Sequence, residues 1–194
     1  MTNDTTDHDT GCDRGVGAAR PDGGGRRTGV VGAGVMGRDI AALLANGGHE
    51  VVIVDVDPDA LAAAEAYIES EVAGALTDAG LAADDDSDTV ADRVSYATDL
   101  DALADCGFVV EAISESLDAK RGVLAELEAI LSPDAVVGTN TSSLTASAVA
   151  GEADHPERVV LFHFANPAIP RDVVEINGER ASEDALALAE SVAH

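Results

Sequence analysis

The chain has one lysine, no tryptophan and two cysteines. Bases of any kind are scarce: Lys and Arg together number 11 against 37 Asp and Glu, for a formal net charge of −26. Five of the acids and four of the arginines lie in the first 27 residues, so the remainder carries 32 acids against seven bases. A surface of that sign lacks the basic patches that nucleic acid requires, and an anionic membrane surface repels it. Cys12 and Cys106 make no disulfide framework and point to a reduced, cytoplasmic protein. No apolar run is long enough to cross a bilayer. Arg26-Arg27 ahead of an apolar stretch imitates a twin-arginine export signal, but cleavage there would remove a stretch the fold needs. Aromatic residues make up 3% of the chain. Acid excess, near-absence of lysine and few aromatics together predict the protein of a salt-loving microbe, whose folding needs concentrated salt to screen its self-repulsion. An ordinary acidic protein is the alternative.

Residues 1–27, rich in Asp, Thr, Gly and Arg, are predicted to be a disordered tail. Residues 28–194 suffice for one domain with a sizeable core. Strands are predicted at Thr28–Val31, Glu50–Asp55, Arg93–Thr98, Phe108–Ile113, Ala135–Gly138, Val159–Phe164 and Val173–Asn177. Helices are predicted at Val35–Asn46, from Pro58 to about Leu76, at Leu117–Leu131, near Thr145–Ala150 and at Ser182–Ala193, with a short helix or turn at Asp101–Ala104. The acidic stretch Ala82–Asp88 is expected to loop out. Continuously apolar strands alternating with helices predict an α/β chain: a Rossmann-type, doubly wound, mainly parallel sheet with helices on both faces and the last strand antiparallel.

The run Gly32-Ala33-Gly34-Val35-Met36-Gly37 joins the first strand to the first helix, and Asp55 ends the second strand, 23 residues after Gly32. This is the layout that holds a dinucleotide. Gly32 permits the tight turn, Gly34 lets a pyrophosphate approach the backbone, and Gly37 lets the helix pack on the sheet. The helix N-terminus offers N–H groups and partial positive charge to the phosphates. A carboxylate at Asp55 grips the ribose hydroxyls and repels the 2′-phosphate of NADP, so NAD is the expected cofactor; Asp57 is a nearby competitor for that role. A bare glycine turn is the simpler reading.

His163 interrupts the apolar strand Leu161-Phe162-His163-Phe164. The following Asn166-Pro167-Ala168-Ile169-Pro170 must turn, and folding about Ile169 sets residue 163 opposite residue 175. A buried imidazole is then expected to face the buried carboxylate of Glu175, a general base with its orienting group. A core histidine, or a structural ion pair, is the bland alternative. Asn140-Thr141-Ser142-Ser143 follows a buried strand and lies on the carboxyl edge, where such sheets bind ligands; Ser142 is a site residue or only a helix cap.

These stretches, with Val109-Val110-Glu111-Ala112-Ile113 and Val174-Glu175-Ile176, resemble the N-terminal domain of the L-3-hydroxyacyl-CoA dehydrogenase family from Thr28 to His194. The resemblance implies that His163 is the base, Glu175 its partner and Ser142 a hydrogen-bond donor to the substrate oxygen. It implies that Gly32, Ala33, Gly34, Val35, Met36, Gly37, Asp55 and Ala112 bind NAD, with Glu115, Lys120 and Asn166 on the nicotinamide–ribose side and no metal. Lys120 is otherwise a solvated helix lysine. The family continues into a helical C-terminal domain beyond the point where this sequence stops, so a helical partner chain is one expectation. The family's coenzyme A side carries basic or polar residues, whereas no Lys or Arg occurs here between Arg38 and Arg93. Three functions follow: an NAD-dependent 3-hydroxyacyl-CoA dehydrogenase, a dehydrogenase of a small 3-hydroxy acid or sugar acid, and a catalytically silent NAD-binding module.

Overall fold

The computed structural model describes residues 25–82, 90–171 and 173–193. The predicted tail over residues 1–24 and the acidic stretch 83–88 lie outside the described residues. Strand β1 (Arg27–Val31) starts one residue before the expected point. It is followed by α1 (Val35–Asn46), β2 (Glu50–Val54), α2 (Pro58–Ser70), α3 (Val72–Ala79) and β3 (Val94–Ala97). Then come β4 (Phe108–Glu111), α4 (Leu117–Ile130), β5 (Val136–Thr139), α5 (Ala146–Val149), β6 (Val159–Phe164), β7 (Val174–Asn177) and α6 (Glu183–Val192). The sheet order is β3-β2-β1-β4-β5-β6-β7. Every pair is parallel except β6–β7. The chain winds outward from β1 in one direction, then restarts at β4 on the other side, so the topological switch falls between β1 and β4. Ligands bind at such a point, beyond the carboxyl ends of the strands.

Strand alternation feeds two cores. Val30, Ile53, Val110 and Phe162 face α1, α2, α3 and α6, which contribute Ile40, Ala64, Leu76 and Ala189. Val31, Val54, Val109 and Val137 face α4 and α5, which contribute Leu124, Leu127 and Val149. Burial on both sides is why the parallel strands read as unbroken apolar runs. The helix expected from Pro58 to Leu76 is two helices, bent at Glu71 (φ −116°, ψ −30°). The bend brings Val72 and Leu76 into the same core as Leu61 and Ile68.

Candidate functional site

Gly32 turns the chain out of β1 with φ +106°, and its N–H donates to Val54 O at 2.7 Å. A Cβ there would lie 2.9 Å from Ala112 O, so the turn abuts the end of β4. Gly34 is the N-cap of α1 and supplies no side-chain cap, and no acid sits in the first helical turn. A Cβ on Gly34 would meet nothing within 4 Å, so the space above the helix N-terminus is open. A Cβ on Gly37 would run into Gly32 O. The three glycines therefore serve a turn, an open approach and a close helix contact.

Asp55 closes this turn. Its Oδ2 accepts from the Ala33 N–H at 2.7 Å and its Oδ1 from the Asp57 N–H at 2.9 Å. Asp57 caps α2 instead, accepting from the Asp59 N–H at 2.9 Å. Of the two candidate acids, Asp55 is the one turned to the glycine loop. Ala112 donates its N–H to Val31 O at 2.8 Å, on the opposite side of that loop.

A polar network lies under the neighbouring edge. Lys120 is fully buried. It shares the inward stripe of α4 with Leu124 and Leu127, at helical spacing. Its Nζ donates to Glu111 Oε1 at 2.8 Å, Glu111 Oε2 at 3.0 Å and Asn140 O at 3.1 Å. Glu111 also accepts from the Ile113 N–H and the Thr139 hydroxyl, both at 2.9 Å. A buried charge pair needs such complete hydrogen bonding to persist. This places Lys120 one layer beneath the site surface. Sequence reasoning passed over Glu111 as part of this pair, although an acid ending the apolar run Phe108-Val109-Val110 opposite the chain's one lysine was a readable signal.

Above that layer, Glu115 Oε1 accepts from the Thr141 hydroxyl at 2.5 Å, the Ser142 N–H at 3.0 Å, the Ser143 N–H at 3.1 Å and the Ser143 hydroxyl at 2.9 Å. Partial burial pushes the Glu115 carboxyl up. The hydrogen bonds from Thr141 and Ser143, with the Lys120 ammonium, outweigh this and hold it below the usual carboxylate range. Ser142 is exposed, and its hydroxyl makes no hydrogen bond among the described residues. Asn140 Oδ1 accepts from the Phe164 N–H at 3.0 Å, tying the end of β5 to β6.

The β6–β7 register sets His163 opposite Glu175, with Nδ1 3.6 Å from Oε2. That distance suits a charge pair and is too long for a hydrogen bond. The carboxylate is not buried as expected: the Glu175 side chain is 64% exposed and the His163 side chain 25%. The reason is topological, because β7 is the edge strand of the sheet. Thr139 pairs with Leu161, so His163, two residues further along β6, is level with Thr141 at the start of the Ser142 turn. Asn166 is exposed on the loop after β6, which Ala168 and Ile169 anchor by burying themselves at its far side.

A glycine turn, an uncapped helix N-terminus and an acid after β2, all at the switch point of this sheet, define a dinucleotide-binding Rossmann domain. The family is narrower. Residues 27–194 match the model of the 3-hydroxyacyl-CoA dehydrogenase, NAD binding domain, and the chain belongs to that family. It is 36% identical over 160 residues to a 3-hydroxybutyryl-CoA dehydrogenase of Bradyrhizobium diazoefficiens, covering 82% of this chain and 54% of that protein. It is 37% identical over 147 residues to a 3-hydroxyadipyl-CoA dehydrogenase of Escherichia coli, covering 76% of this chain and 31% of that one. The solved (S)-3-hydroxybutyryl-CoA dehydrogenase of Ralstonia eutropha superposes with a TM-score of 0.78 at 29% identity, over 87% of this chain and 59% of that structure. The chain thus spans 31–59% of the length of these three proteins. Among the described residues, no helix is long and apolar enough to cross a membrane.

Proposed function

We propose that the chain is the nucleotide-binding part of an NAD-dependent dehydrogenase interconverting L-3-hydroxyacyl and 3-oxoacyl thioesters. The residues fit the cofactor. The open space at Gly34 and the free first-turn N–H groups of α1 suit a pyrophosphate. Asp55, already hydrogen-bonded to the glycine turn, keeps a charged acceptor for ribose hydroxyls and disfavours a 2′-phosphate. NAD, when bound, accepts the hydride that leaves carbon 3.

The chain's own residues handle the proton. His163 Nε2 takes the hydroxyl proton as the carbonyl forms, and Nδ1 faces Glu175, whose charge stabilises the resulting imidazolium. The Ser142 hydroxyl holds the reacting oxygen, and Asn166 borders the nicotinamide side. The observation that carries this reading is the register that sets His163 against Glu175 and level with the Ser142 turn. Oxidation of NADH by acetoacetyl-CoA in concentrated salt tests it; binding of NAD without turnover of any hydroxyacyl thioester refutes it and supports the silent-module reading.

A second reading has one specific support. Helices α2 and α3 carry Asp59, Glu65, Glu69 and Asp78 and no base. Arg38, the preceding cation in the sequence, is stacked on Tyr67 at 3.9 Å from the ring centroid. Such a wall repels the phosphates of coenzyme A and suits a small 3-hydroxy acid whose recognition lies elsewhere. A panel comparing acyl thioesters with free 3-hydroxy acids separates the two.

A further inference from the structure

We propose that Asn140 is a positioning residue for His163. Its side-chain oxygen adds one rung to the sheet beyond the last backbone pair of β5 and β6, and so fixes the strand end that carries the imidazole. The effect on turnover rests on the dehydrogenase reading; the clamp itself does not.

Backbone pairing between β5 and β6 ends at Thr139 and Leu161. His163 lies two residues further on, where β5 has already left the sheet for the Ser142 turn. On its other side His163 is paired with β7, a strand of four residues at the outer edge of the sheet. Asn140, the first residue after β5, closes the gap. Its Oδ1 accepts from the Phe164 N–H at 3.0 Å, and that N–H belongs to the peptide joining His163 to Phe164. The donor is a main-chain N–H, so the atom facing it must be the amide oxygen. The Nδ2 group donates to nothing among the described residues, so the oxygen alone makes the link. Asn140 is itself anchored: its N–H donates to Glu111 O at 2.8 Å, and its carbonyl accepts from Lys120 Nζ at 3.1 Å. The buried Lys120–Glu111 pair thus holds the clamp at its root. Phe162 and Phe164 are buried, with their rings edge-on and centroids 5.4 Å apart. Alternation along the strand then turns His163 to the opposite face. Packing chooses that face, and the Asn140 link sets the height of the His163–Phe164 peptide. The imidazole is thereby placed against Glu175 and the Ser142 turn. A base must meet its proton within hydrogen-bond reach, and a displacement of about 1 Å costs roughly a hundredfold in rate.

Three variants test the clamp. Asn140→Leu keeps the shape of the side chain without its acceptor, Asn140→Ala removes the side chain, and Asn140→Asp keeps an acceptor oxygen at the same reach. In Leu and Ala, kcat with acetoacetyl-CoA should fall roughly tenfold to a hundredfold at a KM for NADH within about threefold of wild type. In Asp, kcat should stay within about threefold of wild type, because the link to Phe164 survives. Hydrogen exchange at the Phe164 amide should accelerate about a hundredfold in Leu and Ala and stay slow in Asp, with Val160, inside the paired part of β6, as an unchanged control. The ring carbon NMR signals of His163 should broaden or split in Leu and Ala and remain single in Asp. Wild-type kcat in Asn140→Leu, unchanged exchange at Phe164, or an Asp variant as impaired as Leu overturns the proposal. Should Leu and Ala not fold, Asn140→Asp decides alone: turnover, Phe164 exchange and His163 signals like those of wild type support the clamp, and loss of any of them overturns it. A wild type that turns over no hydroxyacyl thioester refutes the dehydrogenase reading, while Phe164 exchange and the His163 signals still decide the positioning.

Discussion

Replacing Gly34 and Gly37 separately by alanine should divide binding from folding within one six-residue turn. Gly34 has φ −67° and ψ −175°, extended backbone that alanine adopts freely. Its new methyl would enter open space, so stability should change by about 0.5 kcal/mol or less. That same space is where the pyrophosphate must reach the helix N–H groups. A methyl there displaces at least two charge-assisted hydrogen bonds, a loss of about 3 kcal/mol or more, which weakens NAD roughly a hundredfold or more. At Gly37 the methyl would collide with Gly32 O. That carbonyl cannot yield cheaply, because Gly32 is pinned by its left-handed φ and its bond to Val54 O. The expected cost is about 3 kcal/mol or more, a large share of the about 5–15 kcal/mol typical of a whole domain. Thermal unfolding followed by circular dichroism, paired with calorimetric NAD titration, reads both effects. Wild-type NAD affinity in Gly34→Ala, or wild-type stability in Gly37→Ala, would refute the reasoning.

Lys120→Met leaves the Glu111 carboxylate buried without its counter-charge, and should cost about 3–5 kcal/mol, seen as a melting temperature lower by roughly 10 °C; adding Glu111→Gln should recover much of the loss. His49 is buried with Nδ1 accepting from the Arg26 N–H at 3.2 Å, and burial pushes its pKa below the ordinary 6.5. The unfolded chain then binds the extra proton first, so stability should be full above the ordinary value and fall as pH drops below it. His49→Gln should flatten that part of the melting-temperature profile. The 32 acids and seven bases beyond residue 27 should make stability rise steeply with KCl; a melting temperature indifferent to salt would contradict the halophilic reading.

The local signals were readable because they depend on the chain alone. Glycine spacing fixed the β1–α1 turn, and the midpoint at Ile169 fixed the pairing of His163 with Glu175, since antiparallel register follows from counting. Exposure did not follow, because it depends on which strand ends up at the sheet edge, and β7 is that edge. The full burial of Lys120 was not legible either, for a related reason. Its place on the inward stripe with Leu124 and Leu127 becomes decisive only once α4 packs over Glu111. The break at Glu71 involves neither proline nor glycine, so it reflects the pull of Val72 and Leu76 toward the core rather than a local signal. Asp57 competed with Asp55 until its use as a cap of α2 was visible.

The most direct measurement is the rate of acetoacetyl-CoA-dependent NADH oxidation by wild type and His163→Ala in concentrated KCl, with NAD affinity measured on both. In His163→Ala kcat should fall about 10²–10⁴-fold while NAD binding is unchanged. Undiminished turnover by His163→Ala would contradict it.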